Sequence, residues 1–294
     1  MEFVDGVDVS LLVTLSEQQG VLISPRLAAT IVRDAALGLD HAHNAEVDGR
    51  ALSVVHRDVS PQNIMVRRDG VVKVVDFGLA LATNRVHQTQ SADTIKGKVR
   101  YMSPEQANAE PLDARTDQFA LGVVLWELLA GRGMFETNNP LIVLRELTQE
   151  RARTPLAHNP AAPPALAAIA MRMLERDRTR RYPGLADAAE ALRVVLESMA
   201  GDHRAELAAF VEGIAGRHLR ERQFAAGDFD RSTLTRQVFG VHHQASGPAA
   251  LLAPIQKVAL SFLSASQTPI SEHRRDLSVS LHVSSGPLPI DPGR

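Results

Sequence analysis

His56-Arg57-Asp58-Val59-Ser60-Pro61-Gln62-Asn63 is followed, thirteen positions after its Asn, by Asp76-Phe77-Gly78. Between them lie two short β-branched runs, Ile64-Met65-Val66 and Val71 to Val75, separated by Arg68-Asp69-Gly70. Runs of this length around a glycine-containing turn predict a hairpin. That hairpin puts Asn63 and Asp76 at its two open ends, where their oxygens can converge on one site. A lone Asp-Phe-Gly carries little weight, since three residues recur by chance. Two spaced motifs in a fixed order, each with its flanking strand, carry far more.

Further markers arrive downstream. Tyr101-Met102-Ser103-Pro104-Glu105 precedes Asp117-Gln118-Phe119-Ala120-Leu121-Gly122, which continues as Val123 to Leu129. The continuation is almost unbroken in apolar character, as a helix buried on all sides requires. Asp177-Arg178-Thr179-Arg180-Arg181-Tyr182 follows later. In this order the motifs resemble a bacterial, eukaryotic-like Ser/Thr protein kinase, over about residues 1 to 200. His56 to Asn63 is similar to that family's catalytic loop, Asp76-Phe77-Gly78 to its metal-binding triplet, and Ser103-Pro104-Glu105 to the element closing its activation segment. Pro61 resembles the Ser/Thr rather than the Tyr branch. A phosphotransferase family acting on small molecules shares the H-x-D-x-x-x-x-N loop but lacks the Ser-Pro-Glu closure.

The resemblance implies roles. Asp58 becomes the base that accepts a substrate hydroxyl proton, and Asn63 and Asp76 become ligands of Mg²⁺ beside ATP. Oxygen donors suit that hard ion, which takes the rest of its shell from phosphate and water. His56, Phe77 and Gly78 become structural. Asp117 is expected to accept hydrogen bonds from backbone N–H groups near His56 and Arg57, and Glu105 to pair with Arg181. Arg57 is expected to bind a phosphate on the activation segment, with Thr89, Ser91 and Thr94 as candidate phosphosites. The implied partners are protein substrates.

Departures are as informative. The family grips the ATP phosphates with a Gly-rich loop and a strand lysine. The four lysines here, Lys73, Lys96, Lys98 and Lys257, all follow the catalytic loop, and no G-x-G-x-x-G occurs. Met1-Glu2-Phe3-Val4-Asp5-Gly6 resembles the family's hinge. Glu2 and Val4 are then placed at the adenine, Asp8 at the ribose, and Met65 as a further nucleotide contact. The expectation is of a chain that begins at this hinge, an internal methionine having been taken as the start of a longer kinase, and that needs upstream sequence for activity. The alternative is a stand-alone lobe that binds partners without catalysis. Many Ser/Thr kinases carry Lys two positions after the catalytic Asp, where this chain has Ser60. Where the family commonly has Gly-Thr before the closing element, this chain has Gly97-Lys98. The expectation is a charge relocation, with Lys98 supplying the cation the loop lacks.

Composition bounds the rest. The 294 residues are 45% hydrophobic with a net charge of −2, enough for one sizeable core and no invitation to a polyanion. The Arg172 to Arg181 cluster reads as Arg181 inside and the others on a solvated face, so no nucleic acid is expected. There is no cysteine, hence no disulfide framework or thiolate zinc site. No basic stretch leads into an apolar core at the N-terminus, so a cytoplasmic location is expected. Ser24-Pro25 and Asn139-Pro140 each predict a capped helix start. Leu27, Ile31, Ala35 and Leu39 give the first of these one buried face. Helices are expected over about 165–176 and 185–200.

The fold class is therefore mainly α with a small β-hairpin: the larger, C-terminal lobe of a kinase-like fold over 1–200, with hinge. An accessory helix over 201–226 presents Leu207, Phe210, Val211 and Ile214 on one face. Residues 227–294, rich in Ser, Gly, Pro and Gln, read as a largely disordered tail. Within it, Pro254, Gln256 and Lys257 argue against a membrane span in Ala249 to Leu263.

Overall fold

Sixteen residues, Arg115–Ala130, form the helix around which the other elements assemble. In chain order the elements are β1 (Gly6–Asp8), α1 (Val9–Gln18), α2 (Pro25–His43), β2 (Glu46–Val47), β3 (Arg50–Ala51), β4 (Ile64–Arg67) and β5 (Val72–Val74). There follow α3 (Pro104–Ala107), α4 (Arg115–Ala130), α5 (Pro140–Gln149), α6 (Pro164–Met173), α7 (Leu185–Glu197) and α8 (His203–Gly227). The computed structural model describes residues 4–47, 49–52, 54–77, 98–150 and 152–227. Glu2, Gly78, Thr89, Ser91, Thr94 and the tail beyond Gly227 lie outside the described residues.

Helix α4 is buried all round, with Leu121, Val123 and Leu125 fully enclosed and Trp126 at 1% exposure. It ends where Gly131 adopts φ 67° and returns its N–H to Glu127 O, a left-handed stop that glycine takes without Cβ strain. α4 packs against α2 and α6, and α2 against α7. The predicted starts hold. Ser24 Oγ accepts from Leu27 N–H, Asn139 Oδ1 accepts from Leu141 N–H, and a proline follows each cap. The face Leu27, Ile31, Ala35 and Leu39 is buried as the four-residue repeat requires.

Two features correct the expectation of a lone hairpin and an added helix. The hairpin belongs to a three-stranded antiparallel sheet in the order β1-β4-β5, with Gly6 opposite Arg67 and Asp8 opposite Met65. β1 is too short and too poor in β-branched residues to show a strand signal. Pairing is possible because residue 6 is glycine: a Cβ there would sit 2.4 Å from Val66 O. A second ribbon, β2 with β3, carries Glu46 opposite Ala51. Helix α8, for its part, is no appendage. Leu207, Val211 and Ala215 are fully buried in the same hydrophobic core as α2 and α4, and the helix contacts α1, α2, β1 and β4. Among the described residues, no helix is long and apolar enough to cross a membrane.

Close helix contact sets one testable constraint. A Cβ at Gly122 of α4 would lie 2.9 Å from Met173 Cβ and 3.2 Å from Leu174 Cγ. Alanine gains about 1 kcal/mol over glycine in a helix interior, whereas overpacking costs about 1–3 kcal/mol. Gly122→Ala is expected to lower the midpoint of thermal unfolding; a raised midpoint would show that α4 and α6 can part without cost.

Candidate active site

A single carboxylate fixes the loop that carries Asp58. Asp117, in the first turn of α4 and 1% exposed, accepts the N–H of His56 at Oδ2 (2.8 Å) and the N–H of Arg57 at Oδ1 (2.8 Å). The Nε2 of His43, at the end of α2, lies 2.7 Å from the same Oδ2. A buried charge must be met by donors or it costs dearly, and here loop and helix supply them together. Proximity to the first turn of α4 adds the favourable end of the helix dipole.

His56 is locked in turn. Its Nδ1 accepts the N–H of Asp58 (3.3 Å) and its Nε2 lies 2.9 Å from Val75 O. A backbone N–H on one nitrogen and a carbonyl on the other select the Nε2–H tautomer. The ring packs on Phe77 with centroids 4.8 Å apart. His56 thus ties the loop to the strand end that leads into Asp76. Arg57 and Asp76 both hold left-handed backbones, at φ 66° and 61°. Such angles are uncommon outside glycine and persist where surrounding structure over-determines them. For Arg57 the cause is visible: its N–H is held by Asp117 and its carbonyl accepts from Gln106 Nε2 (2.9 Å).

Asp58 sits at the centre of the remaining contacts. Lys98 Nζ donates to its Oδ2 at 2.6 Å, and Asn63 Nδ2 lies 3.4 Å from the same oxygen. Asn63 Nδ2 also donates to Asp58 O (2.7 Å), while its own N–H reaches Ser60 O (3.0 Å). Asn63 O in turn accepts from Val75 N–H (2.9 Å), closing the open end of the β4–β5 hairpin. The amide nitrogen of Asn63 is therefore committed, and its side-chain oxygen is the donor left for a hard cation. Asp76 is exposed just past the other open end. No group of three or more His, Cys, Asp or Glu that could hold a metal occurs among the described residues. Two oxygen ligands are nevertheless what Mg²⁺ takes from protein when phosphates complete its shell. Ser60 is 3% exposed, too enclosed to be a surface residue.

The segment bearing Lys98 is anchored by its neighbours. Arg100 donates to Phe135 O (3.2 Å), Thr137 O (2.8 Å) and Asn138 Oδ1 (2.7 Å). The hydroxyl of Tyr101 donates to Glu127 Oε2 (2.8 Å), and the N–H of Met134 to Glu127 Oε1 (3.0 Å). Burial pushes the Glu127 carboxyl up from its ordinary value, and burial together with Glu127 pushes the Tyr101 phenol up. Ser103 and Gln106 then form a capping box at α3, a pattern legible as Ser-x-x-Gln but not anticipated.

Glu105 and Arg181 meet as a two-pronged buried pair, Nη1 to Oε1 at 2.7 Å and Nη2 to Oε2 at 2.8 Å. Arg181 also donates to Glu175 O and Arg115 O, and Thr116 Oγ1 to Glu105 Oε1. Burial pushes the Glu105 carboxyl up, but the hydrogen bonds and charge of Arg181 outweigh it and hold the group below its ordinary value.

Of the nucleotide contacts expected, Asp8 and Met65 face each other across β1 and β4. Asp8 has a further commitment: its Oδ1 accepts Leu11 N–H (2.8 Å) and caps α1. Arg57 is exposed. His43 as a partner of Asp117 was not foreseen, because no motif links the end of α2 to the start of α4 as one links Glu105 to Arg181.

Residues 1–194 match the protein kinase domain family. The chain is 37% identical over 226 residues to the tyrosine-protein kinase MasK of Myxococcus xanthus, covering 76% of this chain and 34% of that protein. It is 36% identical over 204 residues to the serine/threonine-protein kinase PknB of Mycolicibacterium smegmatis, covering 69% and 31% respectively. A probable serine/threonine-protein kinase PknB of Lactococcus lactis is 32% identical over 206 residues, 70% of this chain and 30% of that one. The chain spans about a third of the length of these relatives.

The Glu105 pair predicts a pH signature. The folded value of Glu105 lies below its unfolded one, so its contribution is complete above the ordinary value of 4.5 and is lost as pH falls through the folded value. Glu105→Gln is expected to cost about 3–5 kcal/mol near pH 7, as for other broken buried pairs. Urea unfolding should show that deficit shrinking towards pH 3; an unchanged deficit would separate the pair from the acid response.

Proposed function

Because the chain belongs to the protein kinase family, we propose that it transfers the γ-phosphoryl group of ATP to serine or threonine hydroxyls of proteins. The observation that carries the reading is the state of Asp58. One of its oxygens is taken by Lys98 and approached by Asn63, which leaves the other for a substrate hydroxyl. The hydroxyl oxygen attacks the γ-phosphorus, the bond from that phosphorus to the β,γ-bridging oxygen breaks, ADP leaves, and the proton passes to Asp58. Asn63 and Asp76 would hold Mg²⁺, which when bound neutralises charge on the β- and γ-phosphates. Lys98 would stand beside the transferring group as a fixed positive charge, in the role left open by Ser60. A preorganised donor at such a site is worth about 3–4 kcal/mol of transition-state stabilisation. Pro61 and the names of two of the three relatives above support Ser/Thr acceptors; MasK, named a tyrosine kinase, makes acceptor choice a matter for measurement.

The Gly-rich loop and strand lysine have no match in these 294 residues. We propose that a lobe bearing those elements completes the grip on the phosphates, so assays belong on the chain both alone and joined to such a lobe. The product of transfer to mixed Ser, Thr and Tyr peptides is expected to be phosphoserine and phosphothreonine. Phosphotyrosine alone would sink the acceptor assignment. Asp58→Asn is expected to lower kcat by about 10²–10⁴-fold. Lys98→Ala is expected to lower kcat by about 10²–10³-fold with little change in KM for ATP. Ser60→Lys combined with Lys98→Ala should recover part of the loss. Near-normal turnover in Lys98→Ala rules the relocation out.

A further inference from the structure

The β4–β5 hairpin has two ends. Its open end carries Asn63 and Asp76; its closed end, Arg67 to Gly70, is gripped by α8. Gly70 has φ 78°, and a Cβ there would lie 2.3 Å from Arg204 O and 3.1 Å from Ala208 N. Turn backbone and helix backbone are thus in direct contact, an approach that any side chain at position 70 would prevent. Arg204 reaches over the turn, Nε donating to Asp69 O (3.2 Å) and Nη2 to Asp69 Oδ2 (3.3 Å). Two turns along the helix, Glu212 Oε2 lies 3.0 Å from Arg68 Nε, an ion pair without an aligned hydrogen bond. Glu212 is itself steadied by Arg220 Nη1 at 2.5 Å. Between these ionic contacts, Leu207 and Val211 are fully buried.

The other side of α8 is fastened to the helical body. Arg26 Nε pairs with Glu206 Oε2 at 2.8 Å, and Gln19 Nε2 donates to Ile214 O at 2.9 Å. One helix therefore braces the hairpin turn against α1 and α2. It lies wholly beyond residues 1–194, the stretch matched to the family.

We propose that α8 is a clasp on the metal-ligand hairpin, with Arg204 and Glu212 as positioning residues that act on Asn63 and Asp76 through the turn Arg67 to Gly70. The lever is short and stiff. Four residues of β4 at about 3.3 Å each span roughly 13 Å, and a three-stranded sheet this short gains stability from a helix packed against it. Functional ligands need placement to within about 0.5 Å. Holding the closed end fixes the open one. The proposal rests on reading Asn63 and Asp76 as metal ligands, and its test separates the two.

Hydrogen–deuterium exchange on the full chain reads the clasp without any catalysis. The reporting amides are Arg67, bonded to Val71 O, and Val75, bonded to Asn63 O. Gly70→Ala, and separately Arg204→Ala with Glu212→Ala, should speed exchange at both amides about tenfold while the amides of α4 keep their protection. Arg204→Lys should retain part of the effect. Gly49→Ala is the control for left-handed strain alone, since Gly49 has φ 73° and nothing within 4 Å of its would-be Cβ; it should leave the hairpin unchanged. Unchanged hairpin exchange in the clasp variants overturns the proposal, and so does faster exchange shared equally by α4, which would make α8 a general strut. Water-proton relaxation with Mn²⁺ and ATP gives the second arm. Clasp variants should bind the complex at least threefold more weakly than the parent. Absence of binding by the parent chain joined to a lobe that supplies the phosphate grip, with the exchange pattern intact, would count against Asn63 and Asp76 as metal ligands and leave the clasp standing; equal binding by parent and variants would overturn their positioning role.

Discussion

The buried carboxylate of Asp117 is the constraint from which the site follows. It is a charge at 1% exposure, and its donors come from two different parts of the chain: the loop that carries Asp58 and the end of α2. Removing the Arg57 N–H leaves Oδ1 without a partner, at about 1–3 kcal/mol or more for a charged group, while Oδ2 is held by His43 and His56 together. The loop therefore cannot shift independently of α4. Since α4 is enclosed by the rest of the helical body, the position of Asp58 is set by the whole core rather than by its neighbours in sequence.

Two ion pairs with the same chemistry have opposite characters, and exposure decides which is which. Glu105–Arg181 is almost fully enclosed and has further hydrogen bonds on both partners. Lys98–Asp58 leaves about a third of each side chain in contact with solvent. An exposed pair contributes about 0–1 kcal/mol, against the several kcal/mol lost on breaking a buried one. The first pair is a fixture of the fold. The second can open at little cost, as the proposed roles of Asp58 and Lys98 require.

Much of this was legible in the residues. The hairpin followed from β-branched runs and a glycine turn, α4 from an unbroken apolar run, and the helix starts from Ser24-Pro25 and Asn139-Pro140. The pairs Asp117 with the loop backbone and Glu105 with Arg181 were legible through family likeness, because their motifs stood in order. What escaped was non-local. β1 is three residues long and exists because Gly6 allows Val66 O to come close, which no propensity reports. His43 belongs to Asp117 through an approach of α2 to α4. The amphipathic face of α8 was visible, yet not that its other contacts fall on the turn at Gly70. The candidate phosphosites Thr89, Ser91 and Thr94 lie outside the described residues and take no part in the comparison.

Left-handed backbone at Arg57 and Asp76 has a consequence for how such a chain can change. Each angle holds in reserve a gain open to any variant that substitutes glycine, since glycine takes these angles freely. Selection for stability alone would drift toward those glycines, and the drift would erase the carboxylate of Asp76 as it went. Under the proposed roles, stability and chemistry would compete at two backbone positions rather than across a surface. A chain keeping Arg57 and Asp76 bears a small standing conformational load at both.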